Sequence, residues 1–599
     1  MKYYKTAAFL SAAAAMLLSL QASAEDGTYM ASAHGNNGPV YVTLQMKDDE
    51  IADVQVDENL ETPGLGAAAA LEMGEKILSE QSLSVDTVAG ATISSRAVLE
   101  AAALALETAG YSPEDYKNAP AEMTAEEKNT DVVIVGGGLA GMVSAVRAAQ
   151  EGVSVILIER SGVLGGEARY AMGWISGAGT NIQESMGIED SPELFYEDIV
   201  GFADGEENLN VPTAKYYTEN SGAAIDWLQE NGVAFKEELN PGIYDPMSVL
   251  RVAWGERMGQ SLVAGMQEKL DAYTGDGQVE VLLNTSVNEL LTDENGAVTG
   301  VKASDGNNHE ITVHAGSTIL ATGGYEANEE ILSGMFENVV RSFMTTSDGS
   351  TIELAKQAGA GLHDMDYNAV NGGVLPNDGF YSNIYMDTTY GGLIYVDVNG
   401  NRVFDEMTQR NIIRSNAWVD APENTLYAIL TEDMIDRETP ILSQGNAWMS
   451  TKDTEYALFD ELTEQGELIV KADSIEELAE KTGLSGLPAT VESYNEGAAD
   501  GKDEQFGRTE KLEPLTDGPF YAIRTIPYCG WAAGGPMANE NMEVLREDGS
   551  VIPGLYVAGE GAGFTLVSGK TPISGMYLGM ASTFGIDAAV HAAEFAQKQ

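Results

Sequence analysis

A single cysteine, Cys529, occurs in 599 residues. One thiol excludes an intrachain disulfide, a cysteine-rich zinc site, an iron–sulfur cluster and a Cys-x-x-Cys-His haem attachment. If this chain moves electrons, it uses something other than haem or clusters. Histidine is nearly as scarce, with five residues (His34, His309, His314, His363, His591) and no pair at metal-ligand spacing, so no metal site is expected. Basic residues number 32 against 93 acidic, a net charge of −61. A field of that sign repels phosphate backbones and anionic lipid, which argues against nucleic-acid and polybasic membrane partners. It suits a well-solvated secreted surface. Beyond the first 24 residues no segment approaches 18 continuous apolar residues, so no membrane span is expected.

What is present points to several cores. Apolar residues make up 44% and charged residues 21%, ordinary for globular protein. Glycine is abundant at 66, which predicts many turns and close backbone approaches. Residues 1–24 have the pattern of a secretory signal peptide: Lys2 and Lys5, an apolar run from Ala7 to Leu20, and the small-residue site Ala22-Ser23-Ala24. No lipid-attachment cysteine follows and no Arg-Arg pair precedes the run. A secreted or periplasmic location is the expectation.

Residues 25–112 form a first expected domain. Strand alternation covers Pro39–Met46 and Ile51–Val56, and two Ala/Leu/Glu-rich helices follow near 67–80 and 94–109. Between the helices lies Asp86-Thr87-Val88-Ala89-Gly90-Ala91-Thr92-Ile93-Ser94. Gly90 and Ala91 leave little bulk before a helix start, and Thr92 and Ser94 can cap it. A phosphate there would meet free N–H groups and the positive end of a helix dipole. Spacing alone is equally met by a plain capped helix. The segment resembles the covalent-flavin attachment motif of FMN-binding domains, and Glu61-Thr62-Pro63-Gly64-Leu65-Gly66 matches the same family. The resemblance implies FMN on Thr92 through a phosphoester bond made by a separate flavin transferase. Residues 113–128 read as a linker.

From 129 onward the chain changes character. Thr130–Val135 is a buried-strand pattern, Gly136-Gly137-Gly138-Leu139-Ala140-Gly141 follows, then a small-residue helix and a second strand ending in Glu159. Gly-x-Gly-x-x-Gly between strand and helix, with an acid about 20 residues on, is a dinucleotide-binding signature. Gly136 permits the tight turn, Gly138 the approach of a pyrophosphate, Gly141 close helix–strand packing, and Glu159 can hold a ribose hydroxyl.

Three further blocks occur in order: Gly165-Gly166-Glu167, Ala321-Thr322-Gly323-Gly324-Tyr325, and Gly554-Leu555-Tyr556-Val557-Ala558-Gly559-Glu560. Together they resemble the flavoprotein subunits of fumarate and succinate oxidoreductases. More closely, they are similar to the secreted flavocytochrome c type of fumarate reductase, which includes urocanate reductase. The resemblance implies an α/β fold: a Rossmann-like FAD-binding domain (129–363 and 519–599) with an inserted α+β capping domain (364–518), preceded by the small α+β FMN-binding domain. It implies non-covalent FAD held by Ala140, Glu159, Gly166, Glu167, Met172, Gly173, Val287, Asp348, Glu560, Gly575 and Met576. Thr571 can cap a helix beginning at Pro572, whose positive end would face the flavin.

In such reductases hydride leaves the reduced flavin for one carbon of a polarised double bond, and an arginine on the cap protonates the other. The family segment matches Gly400–Arg410, so the donor falls on Arg410, with Glu406 one helical turn back to hold the guanidinium. Spacing alone is also met by a surface helix pair. The departures are as informative. The family's relay glutamate and second arginine fall on Met386 and Thr389, with Asp387 the nearest replacement. Its two carboxylate-binding histidines fall on Asn371 and on Gly530, beside Trp531, and its clamp arginine on Lys570, or on Thr571 with one gap. Lysine lacks the bidentate fork, and Asn371, Trp531, Tyr385 and Tyr390 would make a larger, flatter pocket. The expectation is a secreted two-flavin reductase for anaerobic respiration, fed by a membrane or periplasmic electron donor. Its small-molecule acceptor is an enoate such as a cinnamate-like acid, or an enone, rather than fumarate. A ketosteroid-type dehydrogenase and a substrate-free electron carrier are the alternatives.

Overall fold

The structure is a computed structural model and describes residues 26–34, 39–56, 66–88, 91–117, 124–242, 246–305, 309–339, 347–374, 382–384, 393–408, 410–435, 442–444 and 452–599. The signal-like segment, Ala89–Gly90 and the Tyr385–Gly392 stretch lie outside these residues. The chain divides into two units: residues 1–124 with 305–309, and residues 125–304 with 310–599.

In the first unit, β1 (Gly27–His34), β2 (Pro39–Lys47) and β3 (Glu50–Val56) form an antiparallel sheet in the order β1-β2-β3. Period-two alternation sends Val40, Val42, Leu44 and Met46 to one face, where all four are buried. Helices α1 (Gly66–Glu80) and α2 (Thr92–Thr108) supply the other half of this core. On α2 the buried residues Ala97, Val98, Ala101, Ala102, Ala105 and Leu106 recur at helical spacing, a single small-residue stripe. The expected linker starts too early. Pro113–Tyr116 is a 3-10 turn whose Tyr116 packs into this core and whose Tyr116 carbonyl accepts from Leu83 N at 2.7 Å. Aromatic burial overrode the proline-based reading there.

The second unit begins with β4 (Thr124–Val135), α3 (Leu139–Gln150) and β5 (Val155–Ile158), followed later by β6 (Val279–Leu282), β7 (Ser286–Thr292), β8 (Val298–Ser304) and β9 (His309–Leu320). An inserted segment carries β10 (Asn371–Val374), β11 (Ile394–Asp397), α4 (Asn411–Val419), β12 (Leu426–Thr431) and β13 (Phe520–Tyr528). The chain then returns with β14 (Val551–Val557) and α5 (Met576–Ala596). The main sheet runs β6-β5-β4-β9-β14, which is 3-2-1-4-5 by order of appearance. Its direction of progression reverses between β4 and β9, and a ligand of such a sheet sits outside the carboxyl ends at that reversal. Val132–Val135 and all of β5 are buried, as expected of strands covered on both faces. Helix α5 lies along α3, where Ser144 Oγ donates to the Gly585 carbonyl at 2.9 Å.

The inserted segment builds its own sheet around β13, which pairs with β12 (Leu426↔Thr525), with β10 (Asn371↔Tyr528) and with Ile469–Ala472. The expected end of this segment at 518 therefore precedes one of its central strands. Seven of the nine residues of β13 are buried, and its pairing partners lie about 50 to 155 residues upstream, beyond any local signal.

Candidate active site

The glycine-rich loop joins β4 to α3 at the sheet's reversal point. Gly136 has φ +104°, and a Cβ there would lie 2.4 Å from the Ala321 carbonyl oxygen at the end of neighbouring β9. A Cβ on Gly141 would lie 1.8 Å from the Gly136 oxygen, so only glycine lets α3 start this close to the strand. Gly138 faces open space. Glu159 is 9% exposed, and its Oε2 accepts from Gly137 N and its Oε1 from Ser161 N, both at 2.7 Å. Each oxygen retains a lone pair for a sugar hydroxyl. The second glycine block closes over the first: Gly165 N donates to the Gly137 carbonyl at 2.8 Å, and a Cβ on Gly166 would lie 3.1 Å from Gly138 Cα. An open backbone cradle beside a pre-set acid fits a dinucleotide such as FAD.

The other expected cofactor residues distribute as follows. Ala140, in the first turn of α3, lies 2.8 Å from where a Gly559 Cβ would be. Glu167 opens the turn Gly166–Arg169 and accepts from Ser347 Oγ at 2.7 Å. Met172 and Gly173 precede the strand Trp174–Ser176, and Ser176 N donates to the Gly575 carbonyl at 3.1 Å. That contact ties Gly575 and Met576 to the same wall. Asp348 pairs with Arg160 and accepts from Ser350 Oγ. Burial would raise its pKa, but Arg160 and Ser350 hold it below the usual carboxylate range. Val287 is half-buried on β7. Glu560 accepts from Ala532 N at 3.2 Å. Burial, and then the neighbouring Glu167 charge, pushes Glu560 up to about 7.

Two expectations about helix starts are corrected. No helix begins at Pro572: α5 starts at Met576 with Gly575 as its N-cap residue at φ +79°. A Cβ on Gly575 would lie 2.6 Å from Ser176 N, and this close approach sets where the helix starts. Nor is Thr92 the cap of α2. It is the first helical residue, preceded by Ala91, and Ser95 Oγ bridges Val88 N (3.0 Å) and the Ala91 carbonyl (2.9 Å) instead. Thr92 thus stands at the end of α2, where backbone N–H groups lack helical partners. Its side chain lies outside the described atoms.

The reading of Glu406 as the partner of Arg410 is also corrected. Residues 405–408 form a turn and Arg410 is the N-cap residue of α4, so no helix places the two side chains together. Glu406 is buried and bridges two other arginines. Arg402 donates to it at 3.0 and 2.7 Å, Arg508 at 3.2 Å, and Tyr395 N at 3.2 Å. Asp503 completes the network with two bonds from Arg402 at 3.0 Å. All four charged side chains are at most 4% exposed.

Arg410 has different partners. Its Nη2 donates to Asp204 Oδ1 at 2.8 Å and to the Phe202 carbonyl at 3.1 Å. Thr571 is fully buried, and its Oγ1 donates to that same carbonyl at 3.1 Å. Lys570 is exposed, with Nζ 4.5 Å from the Tyr367 ring centre, and its carbonyl accepts from Tyr367 Oη at 3.0 Å. The structure therefore brings Thr571 to Arg410 through Phe202. A cavity of about 560 Å³ opens beside them, lined by Asp204, Asn208, His363, Asp364, Thr565 and Lys570 among others. His363 is occupied: Nε2 contacts the Ala562 carbonyl at 2.9 Å, and Nδ1 contacts Asp364 and Thr565 at 3.1 Å. Trp531 stacks on Tyr577 with ring centres 5.6 Å apart. Asn371 lies on β10, its side chain outside the described atoms.

Sequence reasoning missed Asp204 and Glu326. Asp204 carried one local hint, the Ala203-Asp204-Gly205 turn, where it takes φ +58°. Glu326 lies just after the Gly323-Gly324 block and converges on Glu167 and Glu560.

Residues 131–577 match the FAD binding domain family and residues 35–107 the FMN-binding domain family. The chain is 30% identical over 564 residues to a urocanate reductase of Eggerthella lenta, covering 89% of this chain and 87% of that protein. It is 31% identical over 547 residues to an NADH:fumarate oxidoreductase of Klebsiella pneumoniae, covering 90% of this chain but only 55% of that protein. Among solved structures it is similar to the open conformation of a flavocytochrome c3 fumarate reductase. The TM-score is 0.57 at 26% identity, covering 78% of this chain and 79% of that one.

Proposed function

Because the chain belongs to the FAD binding domain family over most of its length and carries an FMN-binding domain ahead of it, we propose that this oxidoreductase is a secreted two-flavin reductase. It takes electrons from an external donor at FMN on Thr92 and reduces the activated C=C bond of a small organic acceptor in anaerobic respiration. The functional parts are the leader 1–24, the FMN domain 25–116 with Tyr116 in its core, the FAD domain 125–363 with 529–599, and the cap 364–528, which includes β13.

The observation that carries the reading is the shared Phe202 carbonyl, which Arg410 and Thr571 both engage. Bound FAD supplies hydride chemistry. The chain's own part is to orient the acceptor and deliver the second proton. Arg410 is the proton donor at the guanidinium, and Asp204, 60% exposed on its side chain, connects that guanidinium to solvent. This replaces the relay that Met386 and Thr389 do not provide. Arginine remains protonated in water, so its use as an acid requires closure over a dry site.

Acceptor choice follows from the clamp position. Lys570 offers a single point charge, and the buried Thr571 hydroxyl is committed to the Phe202 carbonyl, so neither reproduces a bidentate fork for a second carboxylate. With Trp531 and Asn371, these residues favour a flat mono-carboxylate enoate or a neutral enone over fumarate. The test is anaerobic reoxidation of the dithionite-reduced holoprotein by cinnamates, urocanate, enones, sulfoxides and fumarate. A cinnamate or an enone is expected to reoxidise it fastest. Fumarate as the best acceptor, or no response to any C=C compound, would overturn the reading.

A further inference from the structure

The chain enters the inserted segment through the short strand Leu362–His363 and leaves it through residues 529–535. These two crossovers pair with each other, Leu362↔Pro536 and His363↔Gly535. Both are tied to the turn that follows β14. The His363 ring Nε2 meets the Ala562 carbonyl at 2.9 Å, and Thr565 N donates to the Ala533 carbonyl at 3.2 Å. Thr565 Oγ1 lies 2.6 Å from Asp364 Oδ2 and 3.0 Å from that same Ala533 carbonyl. His363 Nδ1 lies 3.1 Å from both Asp364 Oδ2 and Thr565 Oγ1. Asp364 takes φ +49°, a left-handed conformation that aspartate tolerates better than most residues, so the chain bends at the entry crossover.

The donors and acceptors of this knot set its charge. The Ala562 carbonyl can only accept, so Nε2 carries a proton. Thr565 has one hydroxyl proton, and its shortest contact is the Asp364 carboxylate. With that proton given to Asp364, only the ring can supply a donor between Nδ1 and its two oxygen neighbours. A neutral ring would take the Thr565 proton instead and leave a hydroxyl oxygen 2.6 Å from a carboxylate oxygen with no hydrogen between them. Asp364 is not the missing donor. The hydrogen bond from His363, with help from Thr565 and the Lys570 charge, holds its carboxyl below the usual range despite burial. Among the described residues, the other charged groups on the walls of the adjoining cavity are Asp204, Glu207 and Lys570, and the raised Glu560 carboxyl sits on the same turn as Ala562.

We propose that His363, as an imidazolium, is a positioning residue: with Asp364 and Thr565 it pins both crossovers of the cap to the turn after β14, and so sets where Arg410 stands. The knot lines the same cavity as Asp204, the partner of Arg410. Six residues beyond Thr565, Thr571 bonds the Phe202 carbonyl that Arg410 also engages. The kinetic part of this inference rests on the proposed role of Arg410, whereas the charge of His363 does not.

The first readout is the ring-nitrogen spectrum of ¹⁵N-histidine-labelled holoprotein at pH 7, with the His363 signals assigned by their loss in His363→Gln. Both nitrogens are expected to be protonated. Asp364→Asn, which suits the same backbone conformation, is expected to return Nδ1 to the unprotonated range. An unprotonated Nδ1 in the wild type would overturn the proposal. The second readout is steady-state reduction of the best acceptor. His363→Gln is expected to lower kcat by about 10²-fold, the cost of misplacing a reacting group by about 1 Å, with FAD absorbance unchanged. In an Arg410→Ala background it is expected to lower kcat no further, because it acts through that residue. Wild-type kcat in His363→Gln, beside a large loss in Arg410→Ala, would overturn the proposal. An Arg410→Ala protein of unchanged kcat would instead refute the reading of Arg410 and with it the kinetic half of this inference, and the spectrum would decide the charge of His363. Should His363→Gln fail to fold by circular dichroism, Asp364→Asn carries both readouts, the His363 signals being those it shifts.

Discussion

Replacing Glu406 by Gln separates a structural from a catalytic role for this residue. The buried network balances two guanidiniums, Arg402 and Arg508, against two carboxylates, Glu406 and Asp503. Gln keeps the volume and a carbonyl oxygen for Tyr395 N, so no cavity opens. It removes one of the two negative charges and leaves the network one positive charge in excess. Asp503 still holds Arg402, while Arg508 keeps only carbonyl acceptors at Leu393 (2.8 Å), Glu510 (3.0 Å) and Lys511 (2.6 Å). Removing one partner of a buried ion pair costs about 3–5 kcal/mol. Carbonyl dipoles partly compensate here, so a loss near 3 kcal/mol is expected. Arg410 is held by Asp204 and Phe202 and makes no described contact with Glu406. Turnover by the folded fraction well below the melting point should therefore stay within a few-fold of wild type. The assays are urea unfolding and steady-state reduction of the best acceptor. A Glu406→Gln protein of wild-type stability whose kcat falls 100-fold or more would refute the reasoning and return Glu406 to the chemistry.

Arg410→Ala should lower kcat by about 10²–10⁴, the usual contribution of a positioned acid, while FAD absorbance is unchanged. Retained turnover would favour a carrier role. Asp204→Asn should lower kcat by about tenfold, an assignment that rests on the positioned acid's need for proton resupply, and should leave KM within a few-fold. Thr92→Ala, coexpressed with a flavin transferase, should leave no flavin fluorescence on the denatured chain in a gel, whereas FAD is still released into the supernatant. Stability should also respond to pH. The raised Glu326 and Glu560 carboxyls make the native state bind more protons than the unfolded chain, so unfolding free energy falls as pH rises from the ordinary carboxyl range through about 7. Flat stability across that window in the apoprotein would contradict the buried triad.

Features set by local covalent geometry were legible from the chain alone. The strand–glycine–helix–strand–acid run marked the dinucleotide loop because its turn and close approach admit only glycine at Gly136 and Gly141. Alternation in β2 and the alanine stripe of α2 marked the first unit's core for the same reason: side-chain direction follows directly from backbone period. What depends on distant partners was not legible. Glu406 looked like a mate for Arg410 at i−4, but the backbone turns between them, and the buried partner Arg508 arrives from 102 residues away. The hydroxyl of Thr571 is aimed by a carbonyl 369 residues upstream. Glu167, Glu326 and Glu560 meet only because the strands that precede them, β5, β9 and β14, belong to one sheet. Spacing along a chain sets dihedral angles and faces, whereas the partner of a charge is settled by burial, which only the assembled tertiary structure decides.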